Sequence, residues 1–301
     1  MADQMSSIVN RNSGKFIRTL AYPIRDRYSS RIISYLIRYT VHSIEIFQID
    51  AFTDKIFHGN PAAVCLLNEW LNDELMQAIA VENNLSETAF IIEDKRGFHI
   101  RWFTPRGEIS LCGHATLAAG FVLHELQKCE GDAVDFSSKS GPLAVRKKGA
   151  RYTLDFPRLS YQLSKSPETI ALLIDQSCVE IYESELDYMV LLADEHKVFQ
   201  AQVDVRTLAK LPKRGLILTA NSSEADFYSR CFYPKHNIPE DPVTGSAHCV
   251  LAPFWADKLN KNTLRAIQGS FRKGEVHCEV LDERVYLSGH CKWYLKGHLV
   301  I

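Results

Sequence analysis

The chain has 301 residues, of which 46% are hydrophobic and 24% charged, a composition typical of a folded globular protein with one large or two medium domains. Lysine and arginine number 35 against 36 aspartates and glutamates, so no net field favours nucleic acid or an anionic membrane surface. The longest apolar stretches, such as residues 115–123, are shorter than the roughly 20 residues of a membrane-spanning helix. We therefore expect neither a nucleic-acid partner nor a membrane span.

The first 43 residues differ in composition from the rest. They contain six arginines and several serines but only two acidic residues, Asp3 and Asp26. Such a leader is typical of a mitochondrial transit peptide, and it is equally consistent with a basic tail that carries no address. We expect residues 1–43 to form an extension outside the fold, and the protein to be cytoplasmic unless that extension directs it to mitochondria.

The eight cysteines contain no C-x-x-C pair, which favours free thiols in a reducing compartment over a disulfide framework. The 11 histidines do not fall at zinc-binding spacing with these cysteines. We therefore predict no metal and no cofactor.

One short pattern occurs twice in the chain. Arg101-Trp102-Phe103-Thr104-Pro105 leads to Gly113-His114-Ala115, and Arg230-Cys231-Phe232-Tyr233-Pro234 leads to Gly245-Ser246-Ala247. The offset is 129 residues between the arginines and 132 between the glycines, so the second copy has three extra residues before its glycine. Two copies in the same order predict a duplicated fold with one cleft between its halves.

Local patterns predict the elements around these motifs. In the first half they indicate strands over residues 44–52, 62–67, 85–92 and 98–103, a helix that Asn72 caps and that ends near 83–84, and a helix over 115–126. In the second half they indicate strands over 188–192, 215–219, 276–281 and 285–287 and a helix over 247–256, which Pro253 is expected to strain. Because the helices 115–126 and 247–256 are apolar on nearly all sides, we expect a sheet to wrap around each.

The sequence Leu154-Asp155-Phe156-Pro157-Arg158 stands near the middle of the duplicated body and is expected to interrupt the strand-like region 143–154. We predict an N-terminal domain over 44–157 and a C-terminal domain over 158–291. The last strand, about 292–301, returns to the first domain in this prediction.

A helix that opens at Gly113 or Gly245 has backbone N–H groups without partners in its first turn, at the positive end of the helix dipole. Two such ends facing each other would bind a carboxylate or a developing oxyanion. The alternative is that each glycine only permits a tight turn.

Several motifs in fixed order resemble those of the phenazine biosynthesis-like, or PhzF-like, family. They are DAFTDKIFHGNPAAVCLL at 50–67, NLSETAF at 84–90, RWFTP at 101–105, LCGHATLA at 111–118 and EDPVTGSAH at 240–248. The resemblance implies a diaminopimelate epimerase-like α/β (α+β) fold, with two pseudo-symmetric domains that each wrap a curved, mostly antiparallel sheet around a central helix. It also implies an active site between the domains, and it suggests a homodimer.

The same resemblance implies that Glu87 is a catalytic acid and base and that His114, Asp241 and Ser246 line the cleft. A carboxylate enclosed between two domains loses solvation, so its pKa rises and it can accept and return a proton. The alternatives from the residues alone are structural. Glu87 could form a strand-end hydrogen bond, His114 could be a packed core histidine, and Asp241 and Ser246 could cap the helix that follows.

Cys112 lies where related epimerases and racemases have one of two opposed catalytic thiols. Its counterpart before Gly245 is Thr244, and Cys249 is expected to pack inside. The incomplete thiol pair favours a cofactor-independent isomerase in which Glu87 shifts a proton on a small carboxylate-bearing metabolite. In this reading Gly113, Gly245, Ser246 and Cys112 contact the substrate.

Two other functions remain open from the sequence. One is an amino or imino acid epimerase or racemase that uses Cys112 with an unrecognised partner. The other is a protein-binding module that keeps the fold without catalysis, since fold alone does not determine function.

Overall fold

The computed structural model describes residues 16–18, 39–41, 43–95 and 97–301. Most of the predicted basic extension, residues 1–43, therefore lies outside the described residues, and so does the targeting segment proposed there. Two short strands within it, β1 (Phe16–Arg18) and β2 (Tyr39–Val41), pair antiparallel. In the described part of the chain, no helix combines the length and apolar character needed to cross a bilayer.

The first half follows the order strand, strand, helix, strand, strand, with a central helix later. Its elements are β3 (Ser43–Ala51), β4 (Asn60–Leu67), α1 (Asp73–Asn83), β5 (Glu87–Asp94), β6 (Gly97–Thr104), β7 (Gly107–Ile109), α2 (Gly113–Glu125), β8 (Ala133–Ser138), β9 (Gly141–Lys148) and β10 (Arg151–Pro157). Asn72 caps α1 through its side-chain oxygen, which accepts a hydrogen bond from the Leu75 amide at 2.7 Å, as its position predicts.

The second half contains the remaining elements. They are β11 (Tyr161–Leu163), α3 (Pro167–Ala171), β12 (Cys178–Ser184), β13 (Asp187–Leu192), α4 (Glu195–Gln200), α5 (Val205–Leu208), β14 (Gly215–Asn221), β15 (Phe227–Tyr233), a short 3₁₀ helix (Pro234–His236), β16 (Ile238–Asp241), α6 (Gly245–Leu259), β17 (Thr263–Gln268), β18 (Gly274–Leu281), β19 (Arg284–Gly289) and β20 (Cys291–Val300). The last strand, β20, pairs antiparallel with β3 of the first half.

The two halves repeat one pairing scheme. In the first half β4 pairs with β3 antiparallel and with β5 parallel, while β6 pairs with β5 antiparallel and with β8 parallel. In the second half β13 pairs with β12 antiparallel and with β14 parallel, while β15 pairs with β14 antiparallel and with β17 parallel. The duplication predicted from the repeated motif is therefore present in the fold.

The repeated arginine makes the same contact in both halves. Arg101 donates two hydrogen bonds to the Glu108 carboxylate at 2.8 and 2.9 Å, and Arg230 donates two to Glu240 at 2.9 and 2.8 Å. Glu240 follows its arginine by ten residues and Glu108 by seven, which accounts for the three extra residues of the second copy. Such two-point pairs fix geometry, so the arginine holds the loop before each central helix.

Helix α2 is buried from His114 to Leu123 and contacts strands of the sheet around it, including β3, β4, β5, β9 and β10. This confirms the expectation that the sheet wraps an apolar helix. The closest approach depends on Gly120, where a Cβ atom would lie only 2.4 Å from Val145 Cγ1 on β9. A glycine at this position lets the helix and the sheet meet without a side chain between them.

Helix α6 continues through Pro253 to Leu259, so the proline does not end the helix. Proline has no N–H to donate, which leaves the carbonyl oxygen of Cys249 without its usual helical partner. The Leu159 amide donates to that oxygen at 2.9 Å. A contact from the segment that joins the halves thus replaces the missing helical bond.

The two halves are joined along β10 and β19, which pair antiparallel with Leu154 opposite Leu287. The expected interruption of the strand at Leu154 was wrong, because β10 runs on to Pro157 and the chain turns earlier, at Gly149 with φ 63°. A second connection is the ion pair between Arg272 Nη2 and Asp50 Oδ1 at 2.8 Å. These contacts fix the halves relative to each other.

We predict that Gly120→Ala lowers the free energy of unfolding by about 1–3 kcal/mol, because the added methyl group overlaps Val145. Helix propensity alone favours alanine over glycine by about 1 kcal/mol, so it acts in the opposite direction. Chemical denaturation of both proteins measures the difference. A variant as stable as the wild type or more stable would contradict the close packing.

Candidate active site

A cleft of about 910 Å³ lies where the N-termini of α2 and α6 meet, and both halves line it. The two helices open at facing glycines: a Cβ atom at Gly113 would lie 3.7 Å from the Cα atom of Gly245. The residues before them, Cys112 and Thr244, make no side-chain capping hydrogen bond to the helix.

Glu87 reaches this cleft because β4 and β5 run parallel and begin at the same edge of the sheet, with Ala62 opposite Glu87. Its side chain is buried, and its Oε2 atom lies 3.1 Å from His114 Nε2 without forming a hydrogen bond. Burial, and to a smaller extent the negative charge of Asp241, raise the pKa of Glu87 to about 8, while a hydrogen bond with Cys112 opposes the shift. The strand-end hydrogen bond considered from the sequence is not formed by this oxygen.

His114 and Cys112 are both neutral at this position. Burial lowers the pKa of His114 to about 3, against a hydrogen bond to the Pro61 backbone that raises it. Burial also raises the pKa of the Cys112 thiol well above its usual range, and the nearby Glu87 carboxylate adds to that shift. Cys112 Sγ lies 3.5 Å from His114 Nδ1, so thiol, imidazole and carboxyl form one group.

Asp241 lies at the end of β16 in the second half, where it is buried and lines the cleft. It accepts hydrogen bonds from Asn60 Nδ2 at 2.8 Å and from Thr244 Oγ1 at 2.5 Å. Burial raises the pKa of Asp241 to about 6, although these two hydrogen bonds and the charge of Arg214 lower it. The helix cap is Thr244, so neither Asp241 nor Ser246 has the capping position considered from the sequence.

Ser246 lies in the first turn of α6, and its Oγ atom accepts a hydrogen bond from Arg214 Nη1 at 2.9 Å. Arg214 precedes β14 and is also hydrogen-bonded to the carboxylate of Asp187. Its guanidinium carbon lies 4.6 Å from the centre of the Tyr233 ring. The second half thus contributes to the cleft a guanidinium group that is paired with Asp187.

The structure brings together all the predicted site residues, since Glu87, Cys112, Gly113, His114, Asp241, Gly245 and Ser246 all line the cleft. Three residues of this region were missed by the sequence analysis. Asn60 was given no role beyond its place in the motif at 50–67, although its Nδ2 atom donates hydrogen bonds to Asp241 and to the Val243 carbonyl. Tyr233, in the repeated motif, has a buried hydroxyl group that makes no hydrogen bond within the described residues, and Arg214 had no local signal.

Glu87, Cys112 and His114 are also the residues best placed to hold a cation. One donor atom from each lies within 4.8 Å of the others, and no further group of this kind occurs in the described ranges. A carboxylate, a thiol and an imidazole suit a zinc-like ion better than magnesium or calcium. The absence of a metal from the functional protein stays a prediction.

Three comparisons with known proteins give the same result. Residues 49–297 match the family model of phenazine biosynthesis-like proteins. An uncharacterized isomerase of Pseudomonas aeruginosa is 45% identical over 257 residues, which cover 85% of this chain and 98% of the relative. The crystal structure of a PhzF-family protein from Enterococcus faecalis is 42% identical and matches 86% of this chain and all of that chain with a TM-score of 0.83.

More distant structures share only the fold. A hydroxyproline epimerase from Agrobacterium vitis, solved with bound trans-4-hydroxy-L-proline, is 9% identical, covers 86% of this chain and 93% of its own, and has a TM-score of 0.56. The epimerase-like α/β (α+β) fold expected from the sequence motifs is confirmed by these neighbours.

We predict that Asn60→Ala lowers the free energy of unfolding by about 1–3 kcal/mol, because Asp241 and the Val243 carbonyl each lose a buried donor. The matched control is Asn262→Ala at an exposed position, which should change stability by less than about 0.5 kcal/mol. Denaturant unfolding at neutral pH compares the three proteins. Equal stability of the two variants would mean that Asn60 does not hold the two halves of the site together.

Proposed function

The chain belongs to the phenazine biosynthesis-like family, and on that premise we propose that it is a cofactor-independent isomerase in which Glu87 moves a proton within a carboxylate-bearing metabolite. It is an enzyme of the isomerase class, because its curated relatives are named isomerases. The observation that carries the finer proposal is the buried Glu87 carboxyl beside two open helix ends. A non-catalytic binding module is therefore not proposed.

The pKa of Glu87 supports its role as a proton shuttle. With a pKa raised to about 8, the carboxyl group is close to balance between its two protonation states near neutral pH. A group of this kind can take a proton from one carbon and return it to another atom, because neither state is strongly preferred. One such group is sufficient for a proton shift within a single molecule.

The two helix ends supply the electrostatic part of the proposed catalysis. When a proton leaves carbon next to a carboxylate, negative charge develops on the carboxylate oxygens. The N–H groups that follow Gly113 and Gly245 are already oriented toward such a charge and require no rearrangement. In other enzymes each preorganised donor of this type contributes about 10²- to 10³-fold in rate.

His114 and Asp241 lie near Glu87 and would assist its proton transfer in different ways. The neutral imidazole presents Nε2 at 3.1 Å from the Glu87 carboxyl, so it can orient the carboxyl or exchange a proton with it. Asp241 keeps negative charge nearby and raises the pKa of Glu87 beyond the effect of burial. Ser246, which accepts a hydrogen bond from Arg214, retains a hydroxyl hydrogen that it can donate to the substrate.

Epimerisation or racemisation of an amino or imino acid is the second candidate. It is favoured by Cys112, whose thiol lines the cleft next to Glu87 and His114. Against it, the counterpart of Cys112 is Thr244, whose hydroxyl donates to Asp241, so the second half offers no opposed thiol at that position. Inversion would then need Glu87 and another group on opposite faces of one carbon.

We predict that wild-type protein incubated in deuterium oxide with a metabolite extract adds one deuterium to at least one carboxylic acid, and that Glu87→Gln abolishes this exchange. The amide cannot act as a base, while its shape is nearly that of the acid. Mass spectrometry of the acids measures the incorporation and also identifies the substrate. Glu82→Gln, at an exposed position on α1, is the matched control and should exchange normally.

The Cys112→Ser variant separates the two candidates. Retained exchange in Cys112→Ser supports the Glu87-centred proton shift. Loss of exchange in Cys112→Ser, together with deuterium at an inverted stereocentre in the wild type, supports epimerisation. Undiminished exchange in Glu87→Gln would rule out the proposed shuttle.

A further inference from the structure

The repeated motif places a basic residue directly after its proline in both halves. Arg106 follows Pro105 and Lys235 follows Pro234, at the same offset of 129 residues that separates the repeated arginines. Both side chains are exposed, and both residues line the cleft that contains Glu87. We call Arg106 and Lys235 the cationic rim; His236, next to Lys235, also lines the cleft.

Positive charges from both halves converge at this rim. Burial lowers the pKa of His236, and the charges of Arg214, Lys235 and Arg106 lower it further against the opposing effect of Asp187. The same imidazole therefore lies within the field of a cation from the first half and of two from the second. Like charges around one side chain repel each other, and an anion bound between them would reduce that repulsion.

Protein groups do not neutralise the two basic side chains. Within the described residues neither Arg106 nor Lys235 makes an ion pair, and Lys235 Nζ donates instead to the Pro212 carbonyl at 2.9 Å. Lys139, also on the cleft wall, is by contrast paired with Glu108. The uncompensated charge at the rim is thus available to a ligand.

Apolar side chains form part of the cleft wall, and the volume of the cleft is larger than a small acid needs. Leu111 is 40% exposed, although Val243, its counterpart before the second glycine, is fully buried. The Phe156 ring lies beside the helix ends, with its Cζ atom 3.5 Å from the Cβ position of Gly113. The volume of about 910 Å³ is near the upper end of the roughly 300–1,000 Å³ common for small-molecule sites.

We propose that the substrate is a dianion: one carboxylate lies at the helix ends, an apolar cyclic or unsaturated body lies against Leu111 and Phe156, and a second anionic group binds Arg106 and Lys235. The inference rests on the proposed function in one respect, because it takes the reacting carboxylate to lie at Gly113 and Gly245. The second anionic group can be a carboxylate or a phosphate, since both bind guanidinium and ammonium groups.

Binding of three probe acids tests the proposal without knowledge of the natural substrate. Benzoate carries one anionic group, terephthalate carries two carboxylates, and 4-carboxyphenyl phosphate carries a carboxylate and a phosphate. Calorimetric titration at low ionic strength gives the dissociation constants for wild type, Arg106→Gln and Lys235→Gln. Lys148→Gln, at an exposed position on β9 outside the cleft lining, is the matched control.

We expect at least one dianion to bind the wild type about 10-fold more tightly than benzoate, because two exposed charge contacts each contribute roughly 3- to 5-fold. Each rim variant should lose about 3- to 5-fold for that dianion and nothing for benzoate, whereas Lys148→Gln should change neither. The difference in affinity between the dianion and benzoate should decrease as salt is added, since salt screens exposed charges. The dianion that binds more tightly identifies the second group as carboxylate or phosphate.

The proposal is overturned if neither dianion binds more tightly than benzoate, or if the advantage survives in the double variant Arg106→Gln, Lys235→Gln. Absence of binding by all three acids would overturn it as well. If the rim residues do not bind a second anionic group, the deuterium exchange that depends on Glu87 is still expected. Failure of the proton shuttle abolishes the dependence of exchange on Glu87 but leaves the preference for dianions, so the two outcomes are distinguishable.

Discussion

Burial of the Glu87 carboxyl at the junction of two halves is the constraint on which the site depends. A carboxylate enclosed there loses its hydration and lies near the charge of Asp241, so Glu87 keeps its proton at a pH where an exposed glutamate has lost it. The facing ends of α2 and α6 provide positive potential in the same cleft. Proton retention and anion stabilisation therefore arise from one arrangement, the meeting of two helix N-termini over a buried acid.

The two halves carry different residues at equivalent positions: His114 and Ser246 each follow the first glycine of a central helix, and the counterpart of Glu87 in the strand register is Gly215. In the first half, β5 begins with Glu87, which lies beside His114 in the first turn of α2. In the second half, Arg214 directly precedes β14 and donates to Ser246 in the first turn of α6. The first half thus brings Glu87 and His114 to the cleft, and the second half brings Asp241, Ser246 and Arg214. An internal duplication of this kind gives an asymmetric site.

The sequence predicts features that depend on local pattern, including the duplication, the buried central helices and part of the strands, while strands such as β8, β12 and β17 and the short helices α3, α4 and α5 were not predicted. It failed where distant contacts override a local rule. The break expected at Leu154 was wrong, because β10 pairs with β19 there. At Pro253, where strain was expected inside a continuing helix, the Leu159 amide donates to the freed carbonyl oxygen of Cys249. Asn60 bonds Asp241 across 181 residues of sequence, which no local turn signal reveals. The domain limits, the roles of the site residues, the homodimer and the compartment stay predictions.

The protonation state of Glu87 tests the central claim most directly. Carbon-13 NMR of glutamate-labelled, chelator-treated protein, with Glu87→Gln used to assign the resonance, follows the carboxyl carbon through a pH titration. The account predicts a midpoint near 8 for Glu87, and a lower midpoint in Asp241→Asn because a neighbouring negative charge is removed. A midpoint close to the ordinary value of 4.5, unchanged in Asp241→Asn, would contradict it.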